Sequence, residues 1–410
     1  MNSKRKILMV LDASFPPDIR VEKEALALIN SNLYEVYLIC LKKKNEKALS
    51  NYKGLNVIRI KSPAMDQKVK KGVLDAFFSI NNVHYIFYRE LLKLYQEINF
   101  DIIHVHDLPL SKTVRKVAKK INIPYVIDLH ENYAEALKIW FKWRTNKIIR
   151  LKNIIFFNYR KWNKYERTET SKAKYIIAVV EEMKHRLVKN HGLRENKIKV
   201  ISNTEYLDFH KGSKKISLSP NLKDKFLITY IGGIGPHRGI DTAVEAMVDI
   251  TANIKNAVLL IIGGGSKEVL AKLNSIVSLN KLEKNVIIFG KVDKSLVSPY
   301  MKISDINIIP HLSNNHTNHT IPHKLFQILL SKKPILVSDS TPLKRIIREH
   351  DAGFIHEASN PKSFANEVIH IYNNYELATK KAMNGYKACN KGNLNWDTTA
   401  KELLNFYSNI

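Results

Sequence analysis

Arg238 closes a glycine-rich turn within FLITYIGGIGPHRGIDTAVEAMV, residues 226–248. Phe226–Ile231 is an apolar run of strand length, Gly232, Gly233 and Gly235 follow, and Ile240, Val244 and Met247 fall at helical spacing. Without a Cβ such a turn can approach a ligand closely. The unpaired amides of a helix start favour an anion, and Arg238 adds a permanent charge on a planar fork suited to phosphate oxygens. The spacing meets neither G-x-G-x-x-G, whose third glycine would fall at Arg238, nor the P-loop G-x-x-x-x-G-K-[ST]. A phosphate here would be held by an arginine and a helix start; a turn that serves packing alone is the plainer alternative.

Polar residues also follow other apolar runs. Asp18 and Arg20 lie in SFPPDIR after Lys6–Leu11, His104, His106 and Asp107 in DIIHVHDLPL, and His130 and Glu131 in LHENY after Pro124–Asp128. Ligands in doubly wound folds sit at the carboxyl ends of strands, so these groups are placed for chemistry. Asp18 reads equally as a helix cap and Arg20 as a surface charge. His104 and His106 share a strand face, but two ligands are too few for a metal site. His316, His319 and His323 cross a loop–helix boundary with no carboxylate beside them. No metal is expected.

Strand-like and helical runs alternate along most of the chain, which gives an α/β fold of two Rossmann-like, doubly wound parallel-sheet domains. Further strands are expected at Tyr34–Leu41, Val57–Ile60, Tyr175–Val180, Lys199–Ile201, Ala257–Ile262, Val286–Phe289, Ile306–Ile309 and Ile335–Val337. Helices are expected at about Val21–Ser31 and Ala76–Asn99, and Pro322 opens another. A second glycine turn, Gly263–Gly265, follows a strand. KGSKKISLSP, 211–220, is a polar linker between a domain at 1–210 and one at 221–392, and a final helical segment occupies 393–410. Region 133–168 breaks the alternation, with Trp140, Trp143 and Trp162 set among Lys142, Arg144, Lys147 and Arg150. It is either a helix pair with a solvated basic face or a patch for an anionic membrane surface.

The chain has 410 residues, with 66 Lys and Arg against 38 Asp and Glu, a net charge of +28. That excess suits a nucleotide, nucleic acid or anionic membrane, unless it reflects a lysine- and asparagine-rich genome. Two cysteines leave no disulfide framework, as in a reducing cytosol. The basic start resembles a signal peptide, but its apolar core Ile7–Leu11 is short and Asp12 ends it. No apolar run approaches the roughly 20 residues of a membrane span. The expected location is cytoplasmic, or peripheral at the inner membrane face.

Taken together, FPPDIRVEKEALAL, HVHDLPL, DLHENY, YIGGIGPHRG and TIPHKLFQILLSKKPILVSD, in this order, resemble the retaining family 4 glycosyltransferases of GT-B fold over nearly the whole length. The resemblance implies two domains facing a cleft, a final helix returning to the first domain, and transfer of a sugar from a nucleotide diphosphate to a lipid-linked or saccharide acceptor. It implies a donor site at Gly233, Gly235, Arg238, Gly265, Val292, His319, Pro322, His323, Lys324, Leu325 and Gln327. Arg238 would bind the diphosphate, Gln327 the ribose, and Lys291–Val292 would lie by the base. His130 would touch the transferring sugar, and Asp18, Arg20, His106 and Asp107 would lie on the acceptor side. Arg238, Lys324 and His130 would be the catalytic set. The family's first cation is Gly233 here, which leaves Lys324 as the second charge, and its E-x7-E pair falls on His319 and Gln327. Cations and helix amides would stabilise the leaving diphosphate. No D-x-D pair occurs, against a metal-dependent enzyme, and neither metal nor cofactor is expected. A GT-B epimerase and a basic nucleic-acid or anionic-surface binding protein are the alternatives; as a glycosyltransferase it would need no nucleic acid.

Overall fold

The computed structural model describes residues 4–61, 78, 81–140, 158–213, 216 and 222–410. The chain divides into two compact units, Met1–Ser202 with Ala400–Ile410, and Asn203–Thr399.

The first unit carries strands β1 (Arg5–Val10), β2 (Tyr34–Leu41), β3 (Leu49–Tyr52), β4 (Leu55–Ile60), β5 (Ile102–His106), β6 (Tyr125–Leu129), β7 (Tyr175–Ala178) and β8 (Ile198–Val200). They form one sheet in the order β3-β4-β2-β1-β5-β6-β7-β8. Pairing is parallel except between β3 and β4. Its helices are α1 (Ile19–Asn30), α2 (Tyr85–Ile98), α3 (Ser111–Ile121), α4 (Tyr133–Trp140), α5 (Tyr159–Lys172) and α6 (Glu181–His191). The order reverses beside β1, between β1 and β5, so the loop after β1 and residues 106–107 lie at the topological switch point.

The second unit repeats the plan with β9 (Phe226–Ile231), β10 (Ala257–Ile262), β11 (Val286–Gly290), β12 (Ile306–Ile309), β13 (Ile335–Ser338) and β14 (Phe354–His356). They are parallel, in the order β11-β10-β9-β12-β13-β14. The helices are α7 (Ile240–Asn253), α8 (Lys267–Leu279), α9 (Val297–Ile303), α10 (His323–Leu330), α11 (Thr341–Glu349), α12 (Pro361–Asn373), α13 (Tyr375–Asn390) and α14 (Trp396–Ser408). Every residue of β9 and β10 is buried, as central parallel strands covered on both faces require. The switch point lies between β9 and β12.

Three expectations need correction. The first unit ends near Ser202, eight residues before 210, because the next segment bonds into the second unit: Asn203 to Ile321 O, Glu205 to Gln327 and His210 to Ser298. Most of the expected linker, 214–215 and 217–220, lies outside the described residues. Strands β3 and β14 were not expected; β3 is a short, exposed antiparallel edge, and β14 has three residues. Of the long helix expected at 76–99, α2 covers Tyr85–Ile98, and much of the rest is outside the described residues.

The last helix begins in the second unit and ends in the core of the first, where Leu403 and Tyr407 are fully buried beside Val36, Leu38 and Ile177. Leu403→Ala should therefore destabilise the first unit by about 2–5 kcal/mol through loss of transfer energy and a residual cavity. Urea unfolding of the full chain would show the first unit's transition at lower urea. An unmoved transition would contradict this packing.

Candidate functional site

In the first unit the polar residues at the strand ends converge on one carboxylate. Asp128 is the fourth residue of β6 and has no exposure. Arg20, in the first turn of α1, donates to both its oxygens, Nε to Oδ2 at 3.0 Å and Nη2 to Oδ1 at 2.8 Å. Arg20 also donates to Ile201 O at 3.0 Å and pairs with Glu24 at 3.0 Å, one helical turn on. His130 Nε2 lies 2.8 Å from Asp128 Oδ2 and His106 Nδ1 3.3 Å from the same oxygen. His104 stacks on His106 with centroids 4.3 Å apart, and its Nδ1 bonds the Tyr407 hydroxyl from the last helix. Asp107, partly exposed, faces His130 Nδ1 at 3.4 Å. Its backbone is left-handed, φ 64°, and its amide donates to Asp128 O at 2.8 Å. A non-glycine residue held there is strained, as residues at functional sites often are.

These contacts set the charges. Burial alone would raise the Asp128 carboxyl, but Arg20, His130 and the histidine hydrogen bonds hold it well below the usual range. Burial would lower His130, and Asp107 and Asp128 outweigh it, so the imidazole is raised to about 10. Burial and the neighbouring His104 and His130 keep His106 well below its ordinary value, against Asp128. Glu24 is pushed up to about 7 by burial, against Arg20. The array at neutral pH is thus an ionised Asp128 clasped by Arg20 and a charged His130.

Glu24, His104, His106 and Asp128 offer ligand atoms within 4.8 Å of one another, the group among the described residues that most resembles a metal site. Arg20 opposes that use. Its guanidinium already contacts both Asp128 oxygens and Glu24, and a divalent ion would face that fixed charge at close range.

The second unit gathers the opposite charge. After β9, Gly233 O accepts from the Tyr230 hydroxyl at 2.7 Å, and a one-turn 3-10 helix, Pro236–Arg238, follows. Arg238 Nη1 lies 3.0 Å from His311 Nε2, just past β12. A guanidinium can only donate, so that His311 nitrogen carries a lone pair and the ring is neutral. Leu312 N donates to His237 O at 3.1 Å. Gly239, at φ 61°, lies so close to Pro310 that a Cβ would stand 1.9 Å from its carbonyl oxygen. The Arg238 turn is thereby fastened to the end of β12, across the switch point. Lys324, in the first turn of α10, brings its amine to 3.8 Å from the Tyr230 ring centroid. Burial, Arg238, His316 and Lys324 push His237 down to about 2.

The expected site residues are distributed as follows. Gly233, Gly235, Arg238 and Lys324 meet around Tyr230 and His237. Gly265 bridges to Ile234 in the neighbouring turn, and Val292 follows β11, partly buried. Pro322 is the cap of α10 rather than its first residue, and His323 opens the helix. The Leu325 amide donates to Pro322 O at 3.1 Å, so this expected phosphate donor is already engaged. Gln327 is buried and its Nε2 donates to Glu205 Oε2 at 2.8 Å, so that end of the amide is engaged within the protein. His319 Nδ1 lies 2.7 Å from Asn315 O. Asp18 caps α1 by accepting from Val21 N. Arg20 and His106, expected on the acceptor side, are buried and turned onto Asp128 because that carboxylate must be compensated. Trp162 and Tyr165 are core residues, Tyr165 donating to Pro109 O. Lys142, Arg144, Lys147 and Arg150, on which the membrane patch rests, lie outside the described residues.

Glu24, Glu205, His237, His311 and Tyr407 went unrecognised in the sequence. Glu24 carried a signal, standing four residues after Arg20 on a helix. His237 and His311 flank Arg238 and a strand end. Nothing local marks Glu205 or Tyr407.

Residues 27–204 match the model of Glycosyltransferase Family 4, and residues 213–388 that of Glycosyl transferases group 1. An uncharacterized glycosyltransferase of Methanocaldococcus jannaschii is 22% identical over 58% of this chain and 59% of its own length. A capsular polysaccharide biosynthesis glycosyltransferase of Staphylococcus aureus is 22% identical over 58% of this chain and 63% of its own. The chain thus spans about three fifths of the length of these two relatives. A solved Anabaena structure in complex with UDP-glucose superposes with TM-score 0.71 at 13% identity, covering 99% of this chain and 100% of that one.

The charge on His130 has a thermodynamic signature. An imidazole raised to about 10 stabilises the fold fully below its unfolded value near 6.5, and loses that contribution as pH rises through about 10. Between those limits the unfolded state holds one proton fewer, worth about 1.4 kcal/mol per pH unit. Urea midpoints for the first unit should fall from pH 7 to pH 10, and His130→Gln should flatten the fall. Equal slopes in the two proteins would mean that His130 is not held as a cation.

Proposed function

Because the chain belongs to the glycosyltransferases of family 4 and group 1, we propose that it moves a sugar from a nucleotide diphosphate to an acceptor with retention of configuration. One observation carries this reading to the residues. Arg238, fastened by Gly239 and His311 at the β9–β12 switch point, stands with Lys324 and the start of α10 in an environment to which no carboxylate contributes among the described residues. Such a site suits a diphosphate and favours the charge that builds on it as the sugar–phosphate bond breaks. The first-turn amides of α10 add to that charge, apart from Leu325.

His130 has an electrostatic part in this reading. A ring that keeps its proton to about pH 10 cannot accept one at neutral pH, so it serves as a fixed cation rather than as a base. Asp107 and Asp128 hold it there. The acceptor is a saccharide or a lipid-linked glycan in cell-surface polysaccharide synthesis, a reading supported by the name of the Staphylococcus aureus relative. UDP is the first nucleotide to test, since the Anabaena structure holds UDP-glucose. No metal is needed, because the cations are side chains.

The deciding experiment incubates the chain with a panel of nucleotide sugars, with and without saccharide and lipid-linked acceptors, and measures nucleotide diphosphate release. Release that rises with acceptor and persists in excess EDTA is expected. An epimerised nucleotide sugar without acceptor would point to the epimerase, and turnover abolished by EDTA and restored by a divalent ion would refute side-chain stabilisation.

Arg238→Ala should weaken nucleotide diphosphate binding about ten- to a hundredfold, the cost of one charge-assisted contact at roughly 1.5–3 kcal/mol. Affinity and turnover both within twofold of wild type would place the phosphate elsewhere.

A further inference from the structure

Lys324 Nζ is buried and makes no hydrogen bond among the described residues. It is pressed onto the glycine turn, 2.6 Å from where a Cβ on Gly232 would stand. The Tyr230 hydroxyl donates to Gly233 O, and the amine lies over the ring face instead. The titratable and charged groups around it are Tyr230 from β9, His237 and Arg238 from the turn, His311 from the end of β12 and His316 from the loop beyond. None is a carboxylate. Arg238 is permanently charged, and the donor bond it makes requires a neutral His311. A charged ammonium would be a buried cation beside the partly buried Arg238 guanidinium, with no counter-ion among the described residues, a cost that the face of one tyrosine does not offset. Burial and Arg238 push the amine well below the ordinary lysine range, in keeping with this geometry.

We propose that the empty anion site carries one positive charge, on Arg238, and that a diphosphate entering it takes up a proton from solvent, which settles on Lys324 Nζ. This rests on the donor reading above and adds its pH dependence. In the empty site the amine is unprotonated between its depressed value and the ordinary lysine value near 10.4. A bound diphosphate supplies the missing counter-charge and raises the amine again. In that interval binding consumes a proton, so affinity falls as pH rises. His237 and His311 remain neutral, because burial and the fixed charge of Arg238 hold them well below their ordinary range. The site therefore admits a polyanion without presenting two bare cations when empty.

Isothermal titration of the full chain with UDP, GDP and ADP at pH 8.5, in two buffers of different ionisation heat, counts the protons. The nucleotides' terminal phosphates are fully ionised there, since their last ionisation lies near pH 6. The expected result is uptake of about one proton per site, with affinity falling about tenfold per pH unit. Lys324→Arg should still bind but take up no proton, since its charge is permanent, and Lys324→Met should lose both uptake and affinity. His237→Gln should keep the uptake. Binding without proton uptake, uptake that survives in Lys324→Arg, or uptake abolished by His237→Gln would overturn the proposal and leave the donor reading standing. Binding of none of the three probes would remove the donor reading and the proposal together.

Discussion

A carboxylate with no exposure to water sits near the end of a central strand, and the polar side chains gathered at the strand ends of the first unit answer to it. Placing an ion such as Asp128 in the interior costs several kcal/mol unless charge and hydrogen bonds surround it. Arg20 answers with two bonds, His130 with a short contact and His106 with a longer one. Those answers tie α1 to β6 and, through Ile201 O, to the chain just past β8. They also decide the protonation of His130, which is what gives a ring at a strand end a fixed charge. The group proposed to act and the packing constraint are the same set of atoms, so the charge of one cannot change without loosening the other.

The second unit solves the reverse problem. Its strand ends collect Arg238, Lys324 and neutral histidines, and no acid is among the groups that act on Lys324. Such an arrangement is left short of negative charge by its own side chains, which is what a binding site for an anion requires. The geometry is held from outside the charge itself: Gly239 lets the turn lie against Pro310, and Tyr230 ties down Gly233 O. One α/β plan, used twice, thus supports a self-compensated cluster in one unit and an uncompensated one in the other.

The central architecture was legible in the sequence because β9 and β10 are largely apolar runs of strand length, each followed at once by glycine. The edges were not, because β3 is half exposed and β14 is too short to show a period. Arg238 and Lys324 were legible through the glycine turn and the family motif. That Arg20 faces inward was not, since nothing local says which carboxylate across 108 residues will claim it. The Tyr407–His104 contact spans 303 residues and the Glu205–Gln327 contact 122, and both exist only once the units have folded. A leucine or tyrosine on a terminal helix looks the same in sequence whether it caps a core or faces water.

On the proposed function, the diphosphate of a nucleotide sugar is held by side-chain cations of the second unit. A crystal structure of the chain with a nucleoside diphosphate tests it most directly. The account predicts phosphate oxygens within hydrogen-bond distance, about 2.7–3.2 Å, of the Arg238 guanidinium and of Lys324 Nζ, with no metal ion between them. A diphosphate bound away from both residues, or held to them only through a divalent cation, would contradict it.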